Sequence, residues 1–176
     1  MLLAAGPAEG SRARGAHLPC AAASLRPDGS DLPRISAAVL CLVNRERLVR
    51  GIAALHADGD LQRSARSHTL SMVERDYLGH GGPGAQTPFT RARAAGYMAH
   101  AAAARVGENI AYGTGALATP AAVVAAWMAS PSHRANILDP AFRETGVGVV
   151  AAVPAAYSGG QAGATYTQDF GARVRG

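Results

Sequence analysis

The feature that most constrains the fold is a change of hydrophobic period along the chain. Residues 32–50 and 58–77 carry apolar side chains at steps of three, four and seven, which is typical of helices packed on one face. Residues 144–153 instead alternate valine or alanine with glutamate, glycine and further small residues, as a strand does. Because helices come first and strands concentrate late, the order favours an α+β layered domain over repeated βαβ units.

Turn and cap residues predict where these elements begin and end. The apolar stripe of the first helix is predicted to include Val49, and Gly51 is placed to stop that helix. Asp58 or Asp60 can cap the second helix. Further along, the pairs Thr119-Pro120 and Ser130-Pro131 each combine an N-cap residue with proline at the first helical position.

Length and composition predict one domain. With 176 residues and 48% hydrophobic content, the chain can bury one sizeable core and is too short for two. We therefore expect a single domain over residues 32–176, preceded by an extension over residues 1–31 that is rich in Ala, Gly, Pro and Ser. Its first residues resemble the remnant of a signal peptide, but they lack the charged start and the full apolar stretch.

Charge and hydropathy narrow the range of partners. The net charge of +5 is carried by scattered arginines, whereas nucleic-acid binding needs clustered cations, so nucleic acid is not an expected partner. An anionic cell-wall surface remains a candidate. No apolar run reaches the roughly 18 residues of a membrane span, so we expect no transmembrane segment.

Two cysteines, Cys20 and Cys41, are present, and neither has a His or Cys neighbour at metal-binding spacing. They form either a disulfide or two buried thiols. A bridge between them would stabilise a secreted chain by roughly 3 kcal/mol.

Four residues with ligand chemistry lie in glycine-rich or turn-forming surroundings: His80, Glu108, His133 and Glu144. Their separations match no local metal motif, so only the fold can bring them together. His68 differs, because it lies on the apolar stripe of the second helix and is expected to be a packed core histidine.

Beyond these patterns, the sequence resembles the CAP superfamily of cysteine-rich secretory, antigen 5 and pathogenesis-related 1 proteins, in its compact bacterial form. The resemblance covers about three quarters of the chain, from Leu40 to Gly171. It rests on the ordered motifs LVNRER, ARSHTLSM, GHGGPGAQTPFTRARAAGY, GENIAYG, WMASPSHRANIL, RETGVGV and TYTQDFG. It implies a three-layer α-β-α sandwich with a central cavity, and an extracellular, monomeric protein.

The family's cavity carries two histidines and two glutamates, and the matching positions are His80, Glu108, His133 and Glu144. The resemblance implies that His80 and His133 bind zinc or another divalent cation weakly, with the glutamates orienting the rings. Three residues are expected to contact and orient the side chains of this site: Gln168, Tyr166 and Ser132. The sequence departs from the family pattern where Gly79 and Ser132 replace the commoner serine and glycine.

The favoured function is a non-catalytic binding module with a lipid or saccharide ligand in a cleft beside this cavity. Gly146 and Gly148 are expected to leave an open surface there, next to Glu144. One alternative is a metal-dependent hydrolase of peptide or cell-wall substrates, with Glu108 and His133 as candidate catalytic residues. Another is a structural envelope component without a ligand.

Overall fold

The computed structural model describes residues 19–175. Residues 1–18, where the signal-peptide remnant is predicted, and Gly176 lie outside the described residues. In chain order the elements are α1 (Leu32–Leu48), β1 (His56–Ala57), α2 (Gly59–Glu74), α3 (Pro88–Ala94), β2 (Ala101–Thr114), α4 (Pro120–Ala129), α5 (Pro131–Leu138), β3 (Glu144–Val150), α6 (Ala155–Ser158) and β4 (Gly163–Arg175). A single 3₁₀ turn, Gly115–Ala118, connects β2 to α4.

The sheet has the strand order β1-β3-β4-β2. The short β1 pairs in parallel with β3, and the other two pairings are antiparallel. Helix α2 packs on one face, against β3 and β4, and α1 and α4 pack on the other face with the valines of β3. The predicted α+β class and the α-β-α layering are therefore confirmed.

The stripe predicted for α1 is confirmed over its first three turns and is wrong at its end. Ile35, Val39 and Val43 are fully buried in the core. The helix ends at Leu48, so Val49 leaves the buried face and is 56% exposed. Arg47 fills the buried position instead, and its guanidinium donates hydrogen bonds to the backbone carbonyls of Ala53, Ile137, Asp139 and Phe142.

The predicted helix starts are confirmed. The Asp58 side chain accepts hydrogen bonds from the first amides of α2, and the Thr119 side chain accepts one from Ala122 in α4. Helix α5 begins at Pro131, with Ser130 as its N-cap residue. His133 consequently lies in the first turn of a short helix, as the sequence predicts.

The expectation of an open surface beside Glu144 is wrong. A Cβ added at Gly146 would collide with the backbone of Gln62 in α2. At Gly148 it would collide with the backbone of Arg66, one turn further along the same helix. The missing side chains let α2 lie directly on β3, so a helix covers this strand at both glycines.

A disulfide joins Cys20 to Cys41 and confirms the first of the two alternatives for these cysteines. It attaches the irregular segment 19–31 to α1. A backbone hydrogen bond of 2.9 Å from the Ala121 amide to the Ala23 carbonyl attaches the same segment to α4. The start of the described chain is therefore packed on the helices of one face.

Candidate functional site

The site is centred on the carboxylate of Glu108, which lies on the edge strand β2 with a side chain only 1% exposed. Its Oε1 lies 2.8 Å from Nδ1 of His80. Its Oε2 accepts a hydrogen bond of 2.6 Å from Nη2 of Arg91. The carboxylate therefore joins an exposed histidine on one side to a buried guanidinium on the other.

Arg91 reaches this position because α3 is a short, firmly capped helix. The side chains of Thr87 and Thr90 form a reciprocal capping box at its start. From the next position Arg91 extends into the interior, where Nη1 donates to the backbone carbonyl of His80 at 3.0 Å. One guanidinium thus holds both the side-chain partner and the backbone of His80.

His68 is a buried core histidine, as its place on the apolar stripe predicts, but it also supports the site. Its Nε2 donates to the Gly79 carbonyl at 2.9 Å, immediately before His80. Burial lowers the pKa of His68, and the neutral ring carries its proton on the nitrogen that makes this bond. The ring therefore fixes the start of the loop that carries His80.

Asp169 faces Glu108 directly across the β2–β4 ladder and is fully buried. Burial and the neighbouring charge of Glu108 raise the pKa of Asp169 well above its usual range. The Ser64 hydroxyl of α2 faces this carboxyl group, and its hydrogen bonding lowers the pKa and offsets part of the rise. Arg91 pairs with Glu108, so Asp169 is the carboxyl group of the two that keeps its proton.

His133 approaches the same edge of the sheet from α5. Its backbone carbonyl accepts a hydrogen bond of 3.1 Å from Asn109, and Asn136 donates to the Glu108 carbonyl at 3.0 Å. The pKa of His133 is lowered by burial and by the charge of His80.

Glu144 has partners of its own at the start of β3. The Tyr97 hydroxyl donates to its Oε2 at 2.6 Å, and Arg173 donates to its Oε1 at 3.1 Å. Arg173 also bonds Asp58 at 2.8 Å. Glu144 and Glu108 lie on the same face of the sheet, but β4 separates their strands and they occupy different register rows. The hydrogen bonds of Glu144 connect it to this second charged group, and those of Glu108 connect it to His80.

The three residues predicted to support the site lie elsewhere. The Tyr166 hydroxyl donates to the Ala118 carbonyl, and the Gln168 amide donates to Thr145. Both project from the face of β4 opposite to Asp169. The Ser132 hydroxyl is 3.4 Å from that of Ser130, with no hydrogen bond to the His133 ring among the described contacts.

The described residues offer few candidate metal ligands at this site. No group of three or more His, Cys, Asp or Glu side chains in residues 19–175 is arranged to hold a metal ion. The two candidate metal ligands, His80 and His133, offer one imidazole each. Glu108 is already occupied by His80 and Arg91, which suits it to orient a ring rather than to bind a cation.

Neither Arg91 nor Asp169 was predicted from the sequence to belong to the site. Only Asp169 has a sequence feature that could have identified it. Aspartate is rare in strands, so Asp169 within the strand motif TYTQDFG was a detectable anomaly. Arg91 is one of several arginines in its segment, and nothing local separates it from the exposed Arg93.

Comparisons with known proteins agree with this architecture. A family model described as the cysteine-rich secretory protein family, CAP, matches residues 40–170. A curated relative, the uncharacterized protein YkwD of Bacillus subtilis strain 168, is 37% identical over 132 residues, which is 75% of this chain and 45% of that protein. The chain therefore spans less than half the length of this relative.

Solved structures show the same fold. An extracellular protein with an SCP domain from Bacillus anthracis matches with a TM-score of 0.63 and 25% identity, over 82% of this chain and 41% of that one. An outer surface protein from Borrelia burgdorferi matches with a TM-score of 0.64 and 19% identity, over 86% of this chain and 99% of that one. Within residues 19–175 no helix has the length and hydropathy needed to span a bilayer. The family match over most of the chain shows that it belongs to the cysteine-rich secretory protein family, CAP.

Proposed function

We propose that this chain is an extracellular, non-catalytic binding module in which His80 and His133 hold a divalent metal ion weakly, beside a cleft for a lipid or saccharide. The disulfide between Cys20 and Cys41 supports an oxidising location. The extracellular and outer-surface proteins with the same fold support it as well.

The observation that carries the metal site is the hydrogen bond of 2.8 Å between His80 Nδ1 and Glu108. Because Arg91 pairs with Glu108, the carboxylate accepts, so the neutral His80 ring carries its proton on Nδ1. Its Nε2 then has a free lone pair, and the ring is 54% exposed. A carboxylate that orients a histidine in this way is a common support for metal ligands.

The metal ion would be bound weakly and in competition with protons. Two imidazoles are fewer ligands than the four of a structural zinc site, so water must complete the coordination. The hydrogen bond to Glu108 raises the pKa of His80. As the pH falls through that raised pKa, His80 becomes an imidazolium and loses its lone pair, so metal affinity falls with it.

Zinc titration by calorimetry tests this site. We expect the wild-type protein to bind zinc, and His80→Ala with His133→Ala to abolish binding, since no other pair of ligands is proposed. His56→Ala is the matched control, because His56 is an exposed histidine on β1 at the other edge of the sheet. Undiminished zinc binding by the double variant would discard the site.

The cleft that supports the ligand proposal lies between α2 and α3. Its volume is about 650 Å³, and Arg91 contributes to its wall. Because Arg91 also holds Glu108 and the backbone of His80, the cleft and the histidine site share a wall. We expect a ligand in this cleft to contact Arg91, without any need for the glycine face of β3.

A further inference from the structure

The five tyrosines of the chain differ in their surroundings. Three of them, Tyr77, Tyr97 and Tyr166, form a hydrogen bond to a protein oxygen through the hydroxyl, and the last two are fully buried. The other two, Tyr112 and Tyr157, are 40% and 41% exposed. Among residues 19–175 neither of these two hydroxyls has a hydrogen-bond partner. Tyr112 and Tyr157 are therefore the tyrosines that a dissolved reagent reaches most readily.

These two exposed tyrosines lie against one another, and we call them the tyrosine pair. Tyr112 is near the end of β2, and Tyr157 is in α6, within the connection from β3 to β4. Their ring centroids are 5.5 Å apart, and the ring planes are tilted by 53°. This geometry lies within the range of aromatic rings in contact. The fold thus brings together the two phenols that are most exposed to solvent.

The backbone on both sides fixes where the tyrosine pair lies. Tyr112 is opposite Thr165 in the ladder between β2 and β4. On the other side, the Asp76 carboxylate accepts a hydrogen bond of 2.8 Å from the Ala156 amide, next to Tyr157. Helix α6 is therefore attached to the end of α2 by a contact that does not involve the rings, and the two phenols stay side by side.

Other side chains that lose single electrons easily are protected. Thiols and indoles compete with phenols for one-electron oxidants, but both cysteines of the chain, Cys20 and Cys41, are joined in the disulfide. The single tryptophan, Trp127, is 1% exposed, and its indole N–H donates to the Ile110 carbonyl. An oxidant at the protein surface consequently has the tyrosine pair as its most accessible target.

We propose that Tyr112 and Tyr157 form an oxidative crosslinking site, at which a peroxidase with hydrogen peroxide joins the two rings into dityrosine. Each phenol gives up one electron and its hydroxyl proton, and the two phenoxyl radicals form one carbon–carbon bond between ring carbons next to the oxygens. The hydrogen on each of these carbons then moves to the phenol oxygen as a proton and restores the aromatic ring. Hydrogen peroxide takes up the two electrons and two protons and becomes two water molecules.

The product is a covalent bond between β2 and α6. Such a bond closes a new loop and restricts the unfolded chain, as a disulfide does. An oxidising location, which the disulfide between Cys20 and Cys41 supports, is where this chemistry has its oxidant. The crosslinking site depends neither on the metal site nor on the cleft between α2 and α3, so it can be tested separately from both.

Oxidation of the folded protein by a peroxidase and hydrogen peroxide tests the site. We expect dityrosine fluorescence in a monomeric product, with a yield that does not depend on protein concentration. Mass spectrometry of its peptides should find those of Tyr112 and Tyr157 joined, with the loss of two hydrogen atoms. Tyr112→Phe and Tyr157→Phe should each lose the fluorescence, because phenylalanine has no phenol to oxidise. Tyr77→Phe is the matched control and should keep it, since the Tyr77 hydroxyl is bonded to Ser71.

The two phenylalanine variants remove only exposed hydroxyls, so both should fold as wild type does, and circular dichroism checks this. The crosslinked monomer should unfold at a higher Tm than the untreated protein. The inference is overturned if the oxidised wild type contains no joined peptides of Tyr112 and Tyr157, or if either phenylalanine variant forms as much dityrosine as wild type. It is also overturned if the only product is a crosslinked dimer, or if the crosslinked monomer has a lower Tm, since the rings would then not react from their native positions.

Discussion

At the scale of single residues, the site depends on which of two opposed carboxyl groups pairs with the guanidinium of Arg91. Glu108 and Asp169 face one another across the ladder, and both are buried. Of these two carboxyl groups Arg91 bonds only that of Glu108, at 2.6 Å. Two buried carboxylates with one partner cannot both ionise cheaply, so Asp169 retains its proton and its pKa is raised.

The protonated state of Asp169 makes the stability of the protein depend on pH. A carboxyl group with a raised pKa in the folded state binds more protons there than in the unfolded chain. Stability is therefore greatest below the ordinary pKa of aspartate and falls as the pH rises toward the raised pKa. The slope from one such group is at most about 1.4 kcal/mol per pH unit.

Asp169→Asn should remove the loss of stability at high pH, because the amide cannot ionise. We expect the variant to be more stable than wild type at pH 8, and the difference to shrink at pH 5. Chemical denaturation at both pH values measures it. Asp28→Asn is the control, since Asp28 is fully exposed and should not alter the slope between these values. Parallel pH profiles for wild type and Asp169→Asn would show that Asp169 is ionised in the fold.

At the scale of elements, the contact between α2 and β3 determines where ligands can bind. Gly146 and Gly148 allow the backbone of α2 to lie on the sheet. That contact covers β3 at the two glycines, and the cleft of about 650 Å³ lies between α2, where Ser67 lines it, and α3.

Gly146→Ala should destabilise the protein by about 3 kcal/mol or more, because the new Cβ meets helix backbone that cannot move aside as a side chain can. Denaturant unfolding measures the change. The control is Gly59→Ala in the first turn of α2, where a Cβ would find only the end of the Arg63 side chain at 3.7 Å. Equal stabilities for the two variants would mean that α2 does not pack this closely on β3.

At the scale of the whole molecule, three long-range connections hold the helices of one face together. The disulfide attaches the segment before α1 to that helix, and Ala23 attaches the segment to α4. Arg47 at the end of α1 bonds the Ile137 and Phe142 carbonyls and fixes the end of α5 relative to β3. Helix α5 carries His133, so its placement contributes to the histidine site.

Removal of the disulfide by Cys20→Ser with Cys41→Ser should lower the free energy of unfolding by about 3 kcal/mol, since the bridge closes a loop with a sequence separation of 21 residues. For a chain of this size the Tm should fall by roughly 6 to 12 °C. Thermal unfolding with and without reductant measures this effect. Reductant should lower the Tm of wild type and leave the double variant unchanged. A wild-type Tm that does not change when reductant is added would show that the bridge adds little stability.

Much of the architecture follows from local patterns. The sequence alone predicts the N-cap residues Asp58, Thr119 and Ser130 and the alternating valines of β3. The two-residue β1 was not, because so short a strand has no period of its own. Hydrophobic period predicts an element only where several turns or several alternations repeat.

The candidate site was predictable only in part. Glycine-rich surroundings and family resemblance marked His80 and Glu108, which the fold joins by a hydrogen bond. The same reasoning grouped Glu144 with them, but Arg173 and Tyr97 bond it instead. Which charges meet depends on strand register and helix placement, and neither is encoded in local spacing.

The sequence by itself determined the α+β class, most helix boundaries and the residues with ligand chemistry, because these follow from local period, capping and side-chain type. The tertiary structure alone decided that Arg91 pairs with Glu108, that Asp169 keeps its proton and that α2 covers the glycines of β3. Each of these depends on burial and on contacts between residues far apart in the chain. Burial makes unpaired charge costly, and only the assembled fold determines which groups are buried together.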